Sequence, residues 1–225
     1  MSGPPHGIVF LFDVDSALLD NDRMQADLGG HLTEEHGVFA RDRYWAIFEQ
    51  PRDELGYADY LGALQRCRLA ELHDPRVLRV SNWLADYPFA DWLYRHALDV
   101  VRHVRRWGPT VILSDGDAVF QPRKVERSGL WDEFEDRMLI HIHKEQELDD
   151  VERLYPPRHY VLIDDKIRIL DTVKRTWKSR VTTVLPKQGR YALDSKALAR
   201  HPPADVEIPA IGEMLQYDLP SFQRS

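Results

Sequence analysis

Three apolar runs, each ending abruptly in acidic or hydroxyl residues, constrain the fold of this chain more than any other feature. They are residues 8–12 before Asp13 and Asp15, residues 110–113 before Ser114 and Asp115, and residues 160–163 before Asp164 and Asp165. Each run has the length and β-branched content of a strand buried on both faces, as parallel strands are. Since a parallel sheet opens its ligand crevice at the carboxyl ends of its strands, we expect these polar side chains to meet at one edge.

Helix and strand patterns alternate along the chain after about residue 93. Further strands are predicted over residues 138–143, 181–185 and 206–208, each following a helical segment. Between residues 20 and 88, apolar and aromatic residues recur instead at three- and four-residue intervals without a strand-like run. The pattern therefore predicts an α/β parallel sheet with a helical block inserted after its first strand.

The composition excludes several classes of protein. The 225 residues include 30 Lys and Arg against 37 Asp and Glu, a net charge of -7, which disfavours nucleic-acid binding. No run approaches the roughly 20 apolar residues of a membrane-spanning helix, and the first apolar run lacks the basic segment of a secretory signal. The single cysteine, Cys67, excludes an internal disulfide and is typical of a reducing compartment. We expect a cytoplasmic protein without nucleic-acid or membrane partners, of undetermined oligomeric state.

The acids at the strand ends predict a cation site. Asp13 and Asp15 are two residues apart, so their side chains share a face if the strand continues through them. Two carboxylates that lie so near to each other need a cation if both are to stay ionised. An all-oxygen cluster of this kind suits Mg²⁺. Asp164 and Asp165, from another strand end, would complete the ligand set. Because Mg²⁺ favours sites shared with phosphate, the predicted substrate is a small-molecule phosphate ester.

The same edge offers groups for phosphoryl transfer. One carboxylate can attack phosphorus to give an aspartyl-phosphate, while a second protonates the leaving alcohol and then activates water. Ser114 can offer its hydroxyl to a phosphoryl oxygen, and Lys144, after the third predicted strand, can offset the charge on the transferring group. Each residue alone is typical of a helix cap or a solvated surface, but together they mark successive strand ends.

These residues resemble the four motifs of the haloacid dehalogenase superfamily of phosphohydrolases and phosphotransferases, in the correct order. The matching segments are residues 12–15, residues 113–117, Lys144 and residues 163–165. The resemblance spans nearly the whole chain and includes the helix over residues 121–134. It implies a Rossmann-like core with an α-helical cap, in which residues 1–18 and 93–225 form the core and residues 19–92 the cap.

The resemblance also implies roles for the acids. Asp13 would be the nucleophile and Asp15 the general acid/base. Mg²⁺ would be held by the Asp13 carboxylate, the Asp15 backbone carbonyl and a carboxylate from Asp164 or Asp165, of which we favour Asp165. Relatives that remove halogen from 2-haloacids lack the second aspartate of the first motif, so Asp15 points away from dehalogenation.

The remaining motifs imply phosphate binding, with two departures. Ser114, Asp115 and Lys144 would bind substrate phosphate, and Lys144 would also neutralise the nucleophile. Ala17 stands where a supporting Thr or Val is usual, and Lys166 replaces the usual small residue after the fourth motif. We interpret Lys166 first as the partner of a neighbouring acid and second as a contact to substrate phosphate.

The predicted function is a Mg²⁺-dependent phosphatase that cleaves a small phosphomonoester. One alternative is a phosphotransferase or mutase that acts on a sugar phosphate. Another is a catalytically weak binding or regulatory protein that keeps the fold. Specificity would come from cap residues that face the crevice, among the candidates Arg43, Arg52, Tyr57 and Tyr60.

Overall fold

Six parallel strands form one sheet at the centre of the molecule. The computed structural model describes residues 6–50, 57–70 and 76–222. The strands are β1 (His6–Phe12), β2 (Thr110–Asp115), β3 (Met138–His141), β4 (Pro157–Ile163), β5 (Val181–Pro186) and β6 (Val206–Ile208). Their order is β3-β2-β1-β4-β5-β6, so β1 lies between β2 and β4. This order confirms the predicted Rossmann-like α/β sheet, including the short edge strand at residues 206–208.

Helices fill the connections between the strands. Between β1 and β2 lie α1 (Asn21–His36), α2 (Val38–Glu49), α3 (Tyr60–Ala70) and α4 (Arg76–Asp86), followed by the core helix α5 (Ala97–Arg105). The later helices are α6 (Phe120–Arg127), α7 (Leu130–Glu133), α8 (Leu148–Leu154), α9 (Ile167–Trp177), α10 (Gly189–Ala192) and α11 (Ser195–Leu198). Short 3₁₀ helices span Phe89–Trp92, Lys144–Gln146, Lys178–Arg180, Ile211–Gln216 and Leu219–Phe222. The inserted helical cap is confirmed, and its boundaries at residues 19 and 92 stay predictions.

Several element ends differ from the sequence pattern. The strand β1 ends at Phe12, so Asp13 and Asp15 lie in the loop that follows it, where Asp15 forms an isolated bridge with Leu19. That loop needs a backbone turn at Ser16, whose φ is 61°. The strand β3 ends two residues earlier than predicted. The strand β4 begins earlier than predicted, at Pro157, which is possible because a proline at the first position of a strand costs no hydrogen bond between strands.

The sheet is buried on both faces. Alternate β1 residues point to opposite sides, with Ile8, Phe10 and Phe12 on one face and Val9 and Leu11 on the other. The first face packs in a cluster that continues into the buried side chains of α1, α2 and α3. Cap and core therefore share one hydrophobic cluster. No helix of the described residues is long and apolar enough to cross a membrane.

Candidate active site

Asp13, directly after β1, is the centre of a buried polar cluster. Its side chain is 2% exposed, and its Oδ1 accepts hydrogen bonds from Ser114 Oγ at 3.1 Å and Lys144 Nζ at 2.6 Å. The same ammonium lies 2.6 Å from Asp164 Oδ2 and donates to the Leu113 carbonyl at 3.3 Å. The ends of four neighbouring strands thus bring Asp13 together with residues more than 100 positions away, as the strand-end pattern predicts.

A candidate cation site adjoins this cluster. Ligand atoms of Asp13, Asp164 and Asp165 lie within 4.8 Å of one another. Among the described residues, Asp13 Oδ2 and both Asp165 carboxylate oxygens have no hydrogen-bond partner although they are buried. Asp164 Oδ1 accepts the Lys166 backbone N–H at 2.8 Å, whereas its Oδ2 makes no hydrogen bond with the described residues but forms an ion pair with Lys144 Nζ at 2.6 Å. Buried, unpartnered carboxylate oxygens are costly without a cation, so this donor set fits Mg²⁺ and favours Asp165 over Asp164 as its ligand.

The charges of the cluster depend on one another. Burial alone would raise the pKa of Asp13, but the ammonium groups of Lys144 and Lys166 outweigh burial and lower it. Burial opposes the charge on Lys144 as well, yet the adjacent carboxylates raise its pKa well above the usual value. Burial raises the pKa of Asp164 to about 6, and it raises the pKa of Asp165 well above the usual range. A bound divalent cation would reverse the last two shifts, because it favours the ionised carboxylates.

The second-motif residues are held by α6 and by the segment after β3. Ser114 Oγ accepts a hydrogen bond from Gln121 Nε2 at 2.9 Å, which directs the hydroxyl proton toward Asp13. Asp115 Oδ1 accepts the backbone N–H of Lys144 at 2.8 Å. This carboxylate therefore positions the lysine, and its predicted contact with phosphate stays a prediction.

Asp15 is paired with a lysine of the 121–134 stretch that resembles the family's helix after the second motif, a residue to which the sequence assigned no role. Lys124, on α6, is 1% exposed, and its Nζ donates to Asp15 Oδ1 at 2.6 Å and to Oδ2 at 2.9 Å. It also lies 3.4 Å from Asn21 Oδ1. The available signal was the position of Lys124 on the buried face of α6, four residues after Phe120.

The candidate specificity residues of the cap lie in different parts of the structure. Tyr60 is fully buried, and its hydroxyl accepts hydrogen bonds from Asn21 Nδ2 at 3.3 Å and Gln25 Nε2 at 2.6 Å. Tyr57 lines the cavity at the carboxyl edge of the sheet, whereas Arg43 lines a separate cavity within the cap. Arg52 lies outside the described residues. Of the three candidates that the structure describes, Tyr57 is therefore the one that lines the cavity beside the site.

A cavity of about 540 Å³ opens beside the cluster. Its walls come from the loop after β1, the start of α1, the residues just before α3, the end of β2, and the segments after β3, β4 and β5. The lining includes Asp15, Asn21, Tyr57, Ala58, Asp115, His143, Glu145, Gln146, Lys166, Ile167, Arg168, Tyr191, Asp194 and Ala197. The volume lies in the range of small-molecule sites, and the lining combines charged and polar residues with apolar ones, as such sites do.

The loop after β1 is fixed by the segment after β5. Gln188 Nε2 donates to the Ala17 carbonyl at 2.8 Å, and its Oε1 accepts the Ile211 backbone N–H at 2.9 Å. Gly189, with φ at 76°, packs so closely that a Cβ there would lie 2.7 Å from Ser16 Cβ. The support expected from a side chain at position 17 comes instead from Gln188, which the sequence did not single out.

The comparisons with known proteins identify the class. The chain is 58% identical to a protein described as a haloacid dehalogenase-like hydrolase from Burkholderia xenovorans LB400, with a TM-score of 0.92 over 95% of this chain and 100% of that one. The chain belongs to this family, the haloacid dehalogenase-like hydrolases, as the motifs predicted.

More distant structures share the fold alone. An L-2-haloacid dehalogenase from Xanthobacter autotrophicus is 15% identical, with a TM-score of 0.63 over 92% of this chain and 96% of that one. YfnB from Bacillus subtilis, a hydrolase of the same superfamily bound to magnesium, is 16% identical, with a TM-score of 0.63 over 94% of this chain and 98% of that one. No protein-family model and no curated protein matches the chain.

Proposed function

We propose that this hydrolase cleaves a small phosphomonoester through an aspartyl-phosphate intermediate, with Mg²⁺ as its cofactor. The observation that carries the proposal is the asymmetry of the Asp13 carboxylate. Its Oδ1 is held by Ser114 and Lys144, while its buried Oδ2 has no hydrogen-bond partner among the described residues. One oxygen is thus fixed and the other is left for attack, with a neighbouring ammonium to offset the charge of an incoming phosphoryl group.

The first half-reaction forms the intermediate. Asp13 Oδ2 attacks phosphorus, a bond from this oxygen to phosphorus forms, and the bond from phosphorus to the ester oxygen breaks. Asp15, in its protonated form, gives its proton to the departing oxygen, which leaves as the alcohol. Lys144 and Ser114 stabilise the charge on the reacting groups throughout this step.

The second half-reaction regenerates the enzyme. The Asp15 carboxylate takes a proton from a water molecule that attacks phosphorus, the bond to Asp13 breaks, and inorganic phosphate leaves. Bound Mg²⁺, held by Asp13, Asp165 and the Asp15 backbone carbonyl, would neutralise phosphoryl charge as a Lewis acid.

The test is a panel of phosphomonoesters assayed with Mg²⁺ for release of inorganic phosphate, using wild type, Asp13→Asn and the exposed control Asp132→Asn. We expect activity in wild type and in Asp132→Asn, and its loss in a folded Asp13→Asn. Wild-type activity in a repurified Asp13→Asn would refute the assignment of the nucleophile.

Two further measurements separate other reactions of this family. Halide release from 2-chloropropionate without Mg²⁺ would identify a dehalogenase and contradict the proposal. Transfer of phosphate to a sugar hydroxyl in place of release would identify a phosphotransferase. We expect neither, because Asp15 lines the cavity, and its proposed role there is to activate water.

A further inference from the structure

Lys166 departs from the usual pattern of the fourth motif, and its surroundings indicate a use for it. The residue directly follows Asp165 and precedes α9, and its backbone N–H donates to Asp164 Oδ1 at 2.8 Å. Its side chain lines the 540 Å³ cavity, with Nζ 5.7 Å from the centre of the Tyr191 ring. Lys166 therefore lines the space open to a ligand, while its backbone contacts an acid of the candidate cation site.

This ammonium lacks a close ionic partner. No carboxylate oxygen of residues 6–50, 57–70 and 76–222 lies within the 4.0 Å ion-pair distance of Lys166 Nζ. Arg168, which lines the same cavity, is by contrast paired with Glu145 at 2.5 Å. The expected pairing of Lys166 with a neighbouring acid is thus not formed, and its charge faces the cavity.

The charge balance of the site makes this cation consequential. Asp13, Asp115, Asp164 and Asp165 bring four negative charges when ionised, and Lys144 brings one positive charge. With Mg²⁺ bound, these groups keep one excess negative charge, unless the ammonium of Lys166 is included. Such a site would repel a phosphate dianion, because like charges in a partly buried space interact strongly.

We propose that Lys166 is a second phosphate-binding cation, which contacts a non-bridging oxygen of the phosphoryl group from the side of the site opposite Lys144. The inference rests on the proposed phosphohydrolase function. Lys166 brings the Mg²⁺-loaded cluster to neutrality, and it approaches from the end of β4 while Lys144 approaches from the end of β3. A phosphoryl group between them has a cation on each flank.

The experiment measures binding of inorganic phosphate to the Mg²⁺-saturated protein by calorimetry, in wild type, Lys166→Met, Lys166→Arg and the control Arg168→Met. We expect Lys166→Met to weaken phosphate binding roughly 10- to 100-fold, the effect of one charge-assisted hydrogen bond. Lys166→Arg should restore most of the affinity, and Arg168→Met should stay within about twofold of wild type. Mg²⁺ itself should bind Lys166→Met at least as tightly as wild type, because a repelling cation has been removed.

The outcomes separate this inference from the function on which it rests. Wild-type phosphate affinity in a folded Lys166→Met would overturn the role of Lys166 and leave the hydrolase intact. If Arg168→Met weakened phosphate binding as much as Lys166→Met, the loss would reflect only the total charge near the cavity. That result would also overturn the role of Lys166. If wild type bound neither Mg²⁺ nor phosphate, the proposed function itself would fail, and this inference with it.

Discussion

The ammonium of Lys124 lies within 2.9 Å of both carboxylate oxygens of Asp15. This contact joins α6 of the core to the loop after β1 across 109 positions of sequence. The lysine is buried, while the Asp15 side chain is 21% exposed toward the cavity. A carboxylate held at both oxygens has one orientation, so Lys124 positions the proposed general acid/base without itself reaching the substrate.

Lys124→Met should therefore lower kcat by about tenfold or more and change KM little, because proton transfer requires Asp15 in hydrogen-bond reach of the leaving oxygen. Lys124→Arg should recover part of kcat. Steady-state kinetics on the best phosphomonoester, beside thermal unfolding of each variant, checks this. A variant that loses stability but keeps kcat would show that Lys124 is only structural.

Asp165→Asn should have opposite effects on stability with and without Mg²⁺. In EDTA the variant should unfold at a higher temperature than wild type, because it removes a buried carboxylate that lacks a hydrogen-bond partner. With millimolar Mg²⁺ the wild type should gain stability by binding, whereas the variant should gain little. Differential scanning calorimetry in both buffers measures the two effects. Equal Mg²⁺ stabilisation of both proteins would remove Asp165 from the ligand set.

Gly189→Ala should destabilise the protein by about 1–3 kcal/mol and reduce activity, because the new Cβ would meet Ser16 Cβ at 2.7 Å and φ is positive. Gly30→Ala is the matched control. A Cβ at Gly30 meets nothing within 4 Å and lies in the middle of α1, so this change should stabilise by roughly 0.5–1 kcal/mol. Urea unfolding of both variants measures the two changes in stability. The prediction is contradicted if both substitutions shift stability in the same direction.

The contacts of Asp205 lead us to expect that the free energy of unfolding depends on pH. Burial opposes its ionisation, but hydrogen bonds from Lys174 Nζ and from the N–H and hydroxyl of Thr183 outweigh burial and lower its pKa. A carboxyl whose pKa is lowered on folding stabilises the protein above its unfolded pKa of about 4, and this contribution is lost as pH falls through the folded pKa.

Asp205→Asn should then cost about 1–3 kcal/mol at pH 7, and the difference from wild type should shrink toward pH 3. Urea unfolding across this range measures the difference, with exposed Asp149→Asn as the control. A penalty that stayed constant with pH would mean that packing, and not the ionised carboxylate, is what Asp205 contributes.

The strands and the acids that follow them could be predicted because buried parallel strands are continuous apolar runs, and their carboxyl ends share an edge. Asp13, Ser114, Lys144 and Asp164 accordingly meet within hydrogen-bond or ion-pair distance. The same reasoning placed the short strand at residues 206–208.

Lys124 and Gln188 could not be found in this way. Their partners in the loop after β1 are more than 100 positions away, and a single Lys or Gln on a helix or loop is typical of a solvated surface. Only the packing of α6 and of the segment after β5 against the loop brings them to it. The turn at Ser16 could not be predicted either, because Ser16 packs against Gly189, which follows β5.

The bridge made by Gln188 has a consequence for biosynthesis. It ties Ala17 to Ile211, which comes much later in the sequence. Chains emerge from the ribosome with the N-terminal residues first, so Asp13 and Asp15 leave the exit tunnel long before the groups that fix their loop. The loop after β1 can reach its final geometry only after residue 211 has emerged, and a nascent chain that stops short of it carries Asp13 and Asp15 without the groups that fix their loop.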